Sequence, residues 1–215
     1  MNDERQMWIE RDLKADFMNA RRSLRMRQFC ERMRPSPGMR ILDLGGSASI
    51  WRHVEVPLNL TILNLDANLL AATESRHQIT FVQGDACDAR HYRDGEFDLV
   101  FSNSVIEHVG PQPRQAAFAR EVRRLARDYW IQTPSRWFPL EAHCGMPFWW
   151  FYPEVVRRWF IRRWKPRLPA YTEMVEGTRV LRLKDFRRLF PDGELYLEVA
   201  YGFPKSYTVY RTSKP

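Results

Sequence analysis

The chain is predicted to fold as an α/β domain: a mostly parallel sheet with helices on both faces, ending in an antiparallel hairpin. Three observations predict this. Strand-like and helix-like segments alternate from about position 40 onward. The first apolar run, Arg40-Ile41-Leu42-Asp43-Leu44, leads into Gly45-Gly46-Ser47. An acid followed by a small-residue turn is how a parallel strand delivers backbone amides and a carboxylate to a nucleotide-like ligand. Near the C-terminus two strand-like runs stand so close together that they cannot be parallel, because a parallel crossover needs about a dozen residues or more.

Each element has its own signal. From Gln6 to Met33, Trp8, Leu13, Phe17, Ala20, Leu24 and Phe29 recur at helical spacing, and Pro35-Ser36-Pro37-Gly38 ends the run. Strands are expected at Arg40 to Leu44, Leu60 to Leu65, Ile79 to Gln83, Phe97 to Ser102 and Tyr129 to Gln132. Helices are expected near Ala48 to Val54, cut short by Pro57, then at Asn68 to Arg76, Cys87 to Tyr92 and Gln112 to Ala126. Trp137 to Pro169, crowded with Trp, Phe, Tyr, Arg and Pro, departs from the alternation and reads as an insertion or lid. Leu183 to Phe190 looks helical, Pro191-Asp192-Gly193 turns, and Leu195 to Ala200 and Tyr207 to Tyr210 form the hairpin around Tyr201 to Lys205. The resulting division is an N-terminal helical cap (1–36), a ligand-binding core (37–133), an aromatic and basic lid (134–180), and a helix with the closing hairpin (181–215), all in one domain.

Composition narrows the class. The 215 residues are 44% hydrophobic and 28% charged, enough to bury one good core. No window approaches the roughly 18 uncharged apolar residues of a membrane span, and Met1 to Glu10 is too charged to open a signal peptide, so a cytoplasmic protein is expected. Cys30, Cys87 and Cys144 are an odd number at spacings that suit neither a disulfide framework nor a zinc cluster, so reduced thiols and no metal are expected. The net charge of +8 permits an anionic partner without naming one.

Four motifs add a resemblance: Ile41-Leu42-Asp43-Leu44-Gly45-Gly46, Asn64-Leu65-Asp66, Gln83-Gly84-Asp85-Ala86, and Phe97 to Ser104 running on to Ile106-Glu107-His108-Val109. In their order and spacing they resemble the class I S-adenosylmethionine-dependent methyltransferases, of the small-molecule type grouped with the ubiquinone and menaquinone enzymes. The resemblance implies a Rossmann-like seven-stranded sheet of order 3-2-1-4-5-7-6 and S-adenosyl-L-methionine as cofactor. It implies that Gly45 and Gly46 let the backbone approach the ligand. Asp66, followed by Ala67, would accept the ribose hydroxyls, as an acceptor-only carboxylate can. Asp85 and the Ala86 amide would meet adenine, and Asp43, Asn103 and Ser104 would border the methionine end. Against these stand plainer roles: Asp43 capping its turn, and Asp85 capping the helix after it. Ser47 and Ser49 replace glycines that are more usual in the family. A serine forced to positive φ there would cost energy, leaving a non-catalytic nucleoside-binding module as an alternative.

Methyl transfer from a sulfonium is an in-line displacement that needs orientation above all, and a hydroxyl acceptor also needs a group to take its proton. His108, and Glu141 with His143 after the fifth strand, are the candidates, with Tyr152 and Tyr171 behind them. The plainer readings are a capping or core-edge histidine and a loop-fixing hydrogen bond. Pro153 starts a basic amphipathic helix over 153–165, with Val155, Val156, Trp159, Phe160 and Trp164 forming one face. It either packs on its own domain or touches a membrane surface, and as a lid it favours a bulky, apolar or anionic small-molecule acceptor. An NAD-dependent oxidoreductase is disfavoured by the missing G-x-G-x-x-G. Nucleic acid is not expected as substrate, because Ser102-Asn103-Ser104-Val105 stands where amino-methylating DNA enzymes carry Asn or Asp, Pro-Pro and an aromatic. Oligomeric state is not readable.

Overall fold

The computed structural model describes residues 19–66 and 75–213. The expected helix from Asn68 to Arg76 lies largely outside them, as do Ala67, Trp8, Leu13, Phe17 and the rest of the stretch before position 19. A helix α1 over 19–33 precedes the sheet. Seven strands follow: β1 (Arg40–Leu44), β2 (Asn59–Asn64), β3 (Gln78–Gln83), β4 (Leu99–Asn103), β5 (Asp128–Pro134), β6 (Glu194–Ala200) and β7 (Phe203–Arg211). The helices among them are α2 (Gln112–Leu125), α3 (Glu154–Trp164), α4 (Pro169–Gly177) and α5 (Leu183–Leu189). The order is β3-β2-β1-β4-β5-β7-β6, parallel through β5 and antiparallel at β7 and β6, as the resemblance implies.

Alternation along the central strands builds two cores. Leu42, Leu44, Val100, Tyr129 and Ile131 face one layer with Phe118 and Val122 of α2 and Phe186 of α5. Ile41, Leu99, Phe101 and Trp130 face the other, with Met26, Phe29 and Met33 of α1 and Trp51. Side chains of a strand point alternately to opposite faces, so these buried strands need apolar residues at nearly every position.

Three local expectations change. Ala48–His53 is a 3₁₀ turn rather than an α-helix. Cys87 to Tyr92 forms turns, not a helix: Asp85 Oδ1 accepts the Cys87 amide at 2.8 Å and Asp88 clasps Arg90, so short acids compete for the backbone and the neighbourhood. The hairpin loop is only Tyr201 and Gly202, at φ of 51° and 78°, and β7 starts at Phe203. Two positive φ values in a row are what a tight hairpin needs to match strand twist. No helix among the described residues is long and apolar enough to cross a membrane.

The lid also departs from expectation. In α3 no residue is buried. Phe160 and Trp164 turn toward Trp149, with ring centroids 6.2 and 5.6 Å away, whereas Val155 is 79% and Trp159 56% exposed.

Candidate functional site

Two clefts meet at the carboxyl ends of the parallel strands, where ligands bind in open α/β sheets. One, of about 190 Å³, is lined by Asp43, Gly45, Gly46, Ser47, Ser49, Asn64 and Asn103, with Arg22 reaching in from α1. The other, of about 270 Å³, is lined by Gly45, Asn64, Leu65, Asp85, Ala86, Ser104, His108 and Arg114. Gly45 and Asn64 border both, so the clefts flank the turn after β1.

That turn is fixed by packing as much as by conformation. Gly45 has φ of 73°, and a Cβ there would stand 2.5 Å from Val105 Cγ1. Ser47 has φ of −144°, ordinary extended backbone, so a serine there is unstrained. Its Oγ lies 3.0 Å from Ser49 Oγ. A Cβ on Gly46 would lie 1.9 Å from Asp43 Oδ2, so the Asp43 carboxylate occupies the space a side chain would take. Asp43 is fully buried; its Oδ2 accepts from Trp51 Nε1 at 2.8 Å, and its Oδ1 has no partner. Burial pushes its carboxyl up to about 7 despite the Trp51 bond. A buried carboxylate oxygen without a donor, beside a side-chain-free turn, fits the amino end of S-adenosylmethionine.

Most of the other expected ligands are less buried than Asp43. Asp66 lies exposed just past β2, its amide donating to Asn64 Oδ1 at 3.1 Å, while Asn64 Nδ2 holds the Gly46 carbonyl at 2.9 Å. Asn64 thus ties the two ligand loops together, a positioning role that its motif alone did not disclose. Asp85 caps no helix; both of its oxygens accept from Arg114 Nη2, at 2.9 and 2.8 Å. Asn103 accepts from Arg25 Nη1 at 2.7 Å, joining β4 to α1. Ser104 sits at φ of 57°, with its Oγ 2.8 Å from Gln132 Oε1. A non-glycine residue in the left-handed region at a strand end marks a site whose surroundings over-determine the backbone.

The three candidate proton acceptors converge. Glu141 Oε1 meets His143 Nδ1 at 2.8 Å, and its Oε2 accepts the amides of His143 and Cys144 at 2.6 and 2.7 Å. Burial alone would raise Glu141, but these bonds hold it below the usual carboxylate range. Burial would likewise lower His143, but Glu141 keeps it above the ordinary imidazole value. The His108 ring packs edge-on against His143 with centroids 4.6 Å apart. Crowding by the protein, then the neighbouring His143, pushes its pKa down to about 4. Tyr171 donates to the Cys144 carbonyl at 3.0 Å, pinning α4 to this loop.

One member was absent from the sequence-based set. Glu107 is fully buried, with Oε2 accepting from Thr133 Oγ1 at 3.0 Å and Oε1 unpartnered. Burial brings its carboxyl up to about 7, against the opposing pull of its own amide, His143 and Thr133. Its only sequence signal was its place beside His108 in the fourth motif.

Residues 42–128 match the family model described as "Methyltransferase domain". The chain is 28% identical over 120 residues to the cyclopropane-fatty-acyl-phospholipid synthase of Escherichia coli (strain K12), covering 52% of this chain and 30% of that one. It is 25% identical over 95 residues to phosphoethanolamine N-methyltransferase 1 of Arabidopsis thaliana, covering 40% and 19%. The chain therefore spans about a third or less of these curated relatives. Among solved structures it is similar in fold to Haemonchus contortus phosphoethanolamine N-methyltransferase 2 in complex with S-adenosyl-L-methionine. That match has a TM-score of 0.54 at 17% identity and covers 78% of this chain and 36% of that one.

Proposed function

We propose that the chain is a class I S-adenosylmethionine-dependent methyltransferase that methylates a small-molecule or lipid-like acceptor at the cleft beside His108 and His143, a reading supported by the methyltransferase-domain match over residues 42–128 and by the strand order. The unpartnered Asp43 Oδ1 over the Gly45-Gly46 turn is the observation that carries the cofactor half of this reading. When bound, the cofactor supplies a methyl group on a sulfonium, already activated for displacement. Asp43 takes its amino group, with Asn103 and Ser104 at the same end. Asp66 takes the ribose hydroxyls, while Asp85, held by Arg114, and the Ala86 amide border the adenine. Asn64 keeps the loops after β1 and β2 at a fixed separation for the ribose.

The acceptor's proton leaves at the cluster that faces this cleft. Glu141 fixes the His143 ring through Nδ1, leaving Nε2 to act, and His108 beside it stays neutral. Such an orienting carboxylate is what sets the tautomer of a working imidazole. Acceptors with oxygen, nitrogen or carbon nucleophiles all suit the fold, and the relatives named above are enzymes of phospholipids and of phosphoethanolamine by their names. The lid supports a bulky acceptor with apolar or anionic character. Outward on α3, Val155, Val156 and Trp159 stand among Arg158, Arg162 and Arg163, which suits peripheral contact with an anionic lipid surface.

Calorimetric titration with S-adenosylmethionine, S-adenosylhomocysteine and NADH tests the reading. Saturable binding of the first two is expected, and Asp66→Ala should weaken it by about 1.5–3 kcal/mol, as loss of charged hydrogen bonds does. Binding of NADH alone would overturn it. Cofactor binding without release of S-adenosylhomocysteine on any hydroxylated aromatic, lipid, sugar or amino-alcohol acceptor would leave a non-catalytic nucleoside module.

A further inference from the structure

The cluster at the acceptor end holds one more carboxyl group, Glu107, than the His143–Glu141 pair needs for proton transfer. Glu107, His108 and His143 each bring one ligand-type atom, a carboxylate oxygen or a ring nitrogen, to within 4.8 Å of the other two. Glu107 is wholly buried, and its Oε1 accepts no hydrogen bond. A buried carboxylate oxygen with no donor is costly unless the group takes up a proton or meets a cation. The neighbours that could have supplied one are already engaged. Thr133 donates to the other oxygen of Glu107, and His143 spends Nδ1 on Glu141.

We propose that Glu107, His108 and His143 form a site for one divalent first-row transition ion, of which zinc is the model case, at the acceptor end of the cleft. Two imidazoles and a carboxylate are a donor set that zinc, manganese and iron(II) accept, and three protein ligands leave a position open for substrate. Ligands about 2.0–2.2 Å from a common ion lie about 3.5 Å apart, so the present spacing closes with small side-chain rotations. The outer hydrogen bonds are already built. Glu141 on Nδ1 of His143 leaves Nε2 as the binding nitrogen, and Thr133 steadies Glu107. Carboxylates and hydroxyls in those positions orient metal ligands and raise their affinity. His108 is the exposed member, on the side from which an ion and an acceptor would enter.

The site rests on the proposed function only for the identity of its substrate. An acceptor oxygen on the open position would be acidified by the ion. Its proton would pass to solvent, its lone pair would take the methyl group, and the sulfonium would leave as the neutral thioether. His143 would then be a ligand, with the ion doing the work of a base.

Chelator-stripped protein is titrated with ZnCl₂ and MnCl₂ by calorimetry, and with CoCl₂ by visible absorption. One ion per chain is expected, with a cobalt ligand-field spectrum. His108→Ala, His143→Ala and Glu107→Gln should each weaken binding at least tenfold, and Glu141→Gln about 10–100-fold through His143. Because His108 is exposed, its variant keeps the test alive should Glu107→Gln fail to fold. Absence of saturable binding by all three ions, or affinities unmoved by the His108 and His143 substitutions, would overturn the site. Cofactor titration of the same stripped protein is a separate readout, so loss of the methyltransferase reading and loss of the metal site are told apart.

Discussion

Gly46→Ala is the sharpest test of how the turn after β1 is built. Gly46 has no positive φ, so an alanine there pays no backbone penalty and any cost must be steric. The new Cβ would fall 1.9 Å from Asp43 Oδ2, 2.1 Å from Cγ and 2.3 Å from Oδ1, well inside any real contact. Asp43 is short, fully buried and tethered to Trp51, so it cannot swing clear without breaking that bond. Leaving the buried Trp51 N–H unpaired costs about 1–3 kcal/mol, and overpacking a filled site costs about as much again. A loss of about 2–6 kcal/mol follows, read from urea unfolding followed by tryptophan fluorescence. Removing the carboxylate should relieve the clash, so in an Asp43→Ala background Gly46→Ala should cost about 2 kcal/mol less than in the wild type. Strict additivity of the two substitutions, or a Gly46→Ala loss under about 0.5 kcal/mol, would refute the reasoning.

Two further outcomes are open to measurement. Asp43 titrates near 7 when folded and near 3.8 when exposed, so the folded protein holds its proton more tightly. The stability this confers is full below about pH 4 and is lost as pH rises through 7, so wild type minus Asp43→Asn should fall across that window by up to about 1.4 kcal/mol per pH unit. Unfolding curves of both proteins that run parallel from pH 4 to 8 would contradict the burial assigned to Asp43. For the lid, Trp159→Glu should abolish sedimentation with phosphatidylglycerol vesicles and leave the melting temperature within about 2 °C, since Trp159 is more than half exposed. Equal sedimentation of wild type with phosphatidylcholine vesicles, or none with either, would remove the lipid contact.

What could be read from the sequence follows from what burial imprints locally. The strand set and its order were legible because doubly covered strands need apolar residues at almost every position and tight connections restrict direction. The lid helix was misread for a geometric reason. At 100° per residue, Val155 and Trp159 lie within about 40° of each other, as do Phe160 and Trp164, yet the two pairs are about 140° apart. Five apolar residues therefore cover two faces, and only tertiary contacts say which one turns inward. That Arg114 holds Asp85 was not legible, because the two lie 29 positions apart and the pairing leaves no mark on local spacing.

The acceptor end was half legible for the same reason. Glu141 and His143 are two residues apart and their bond is local, so spacing could reveal them. Glu107 and His108 are adjacent, and adjacency cannot say that one is fully buried and the other exposed. Their meeting with His143 is a product of sheet order: β4 and β5 are neighbours, so the segment after β4 and the loop after β5 open at the same edge. The cleft that holds Asp43 includes none of Glu107, His108 and His143, whereas His108 lines the cleft that holds Asp85. Chemistry at the two ends should therefore separate under mutation. Substitutions at Glu107 or His143 should spare cofactor affinity while changing what happens to the acceptor, and those at Asp43 or Gly46 should do the reverse.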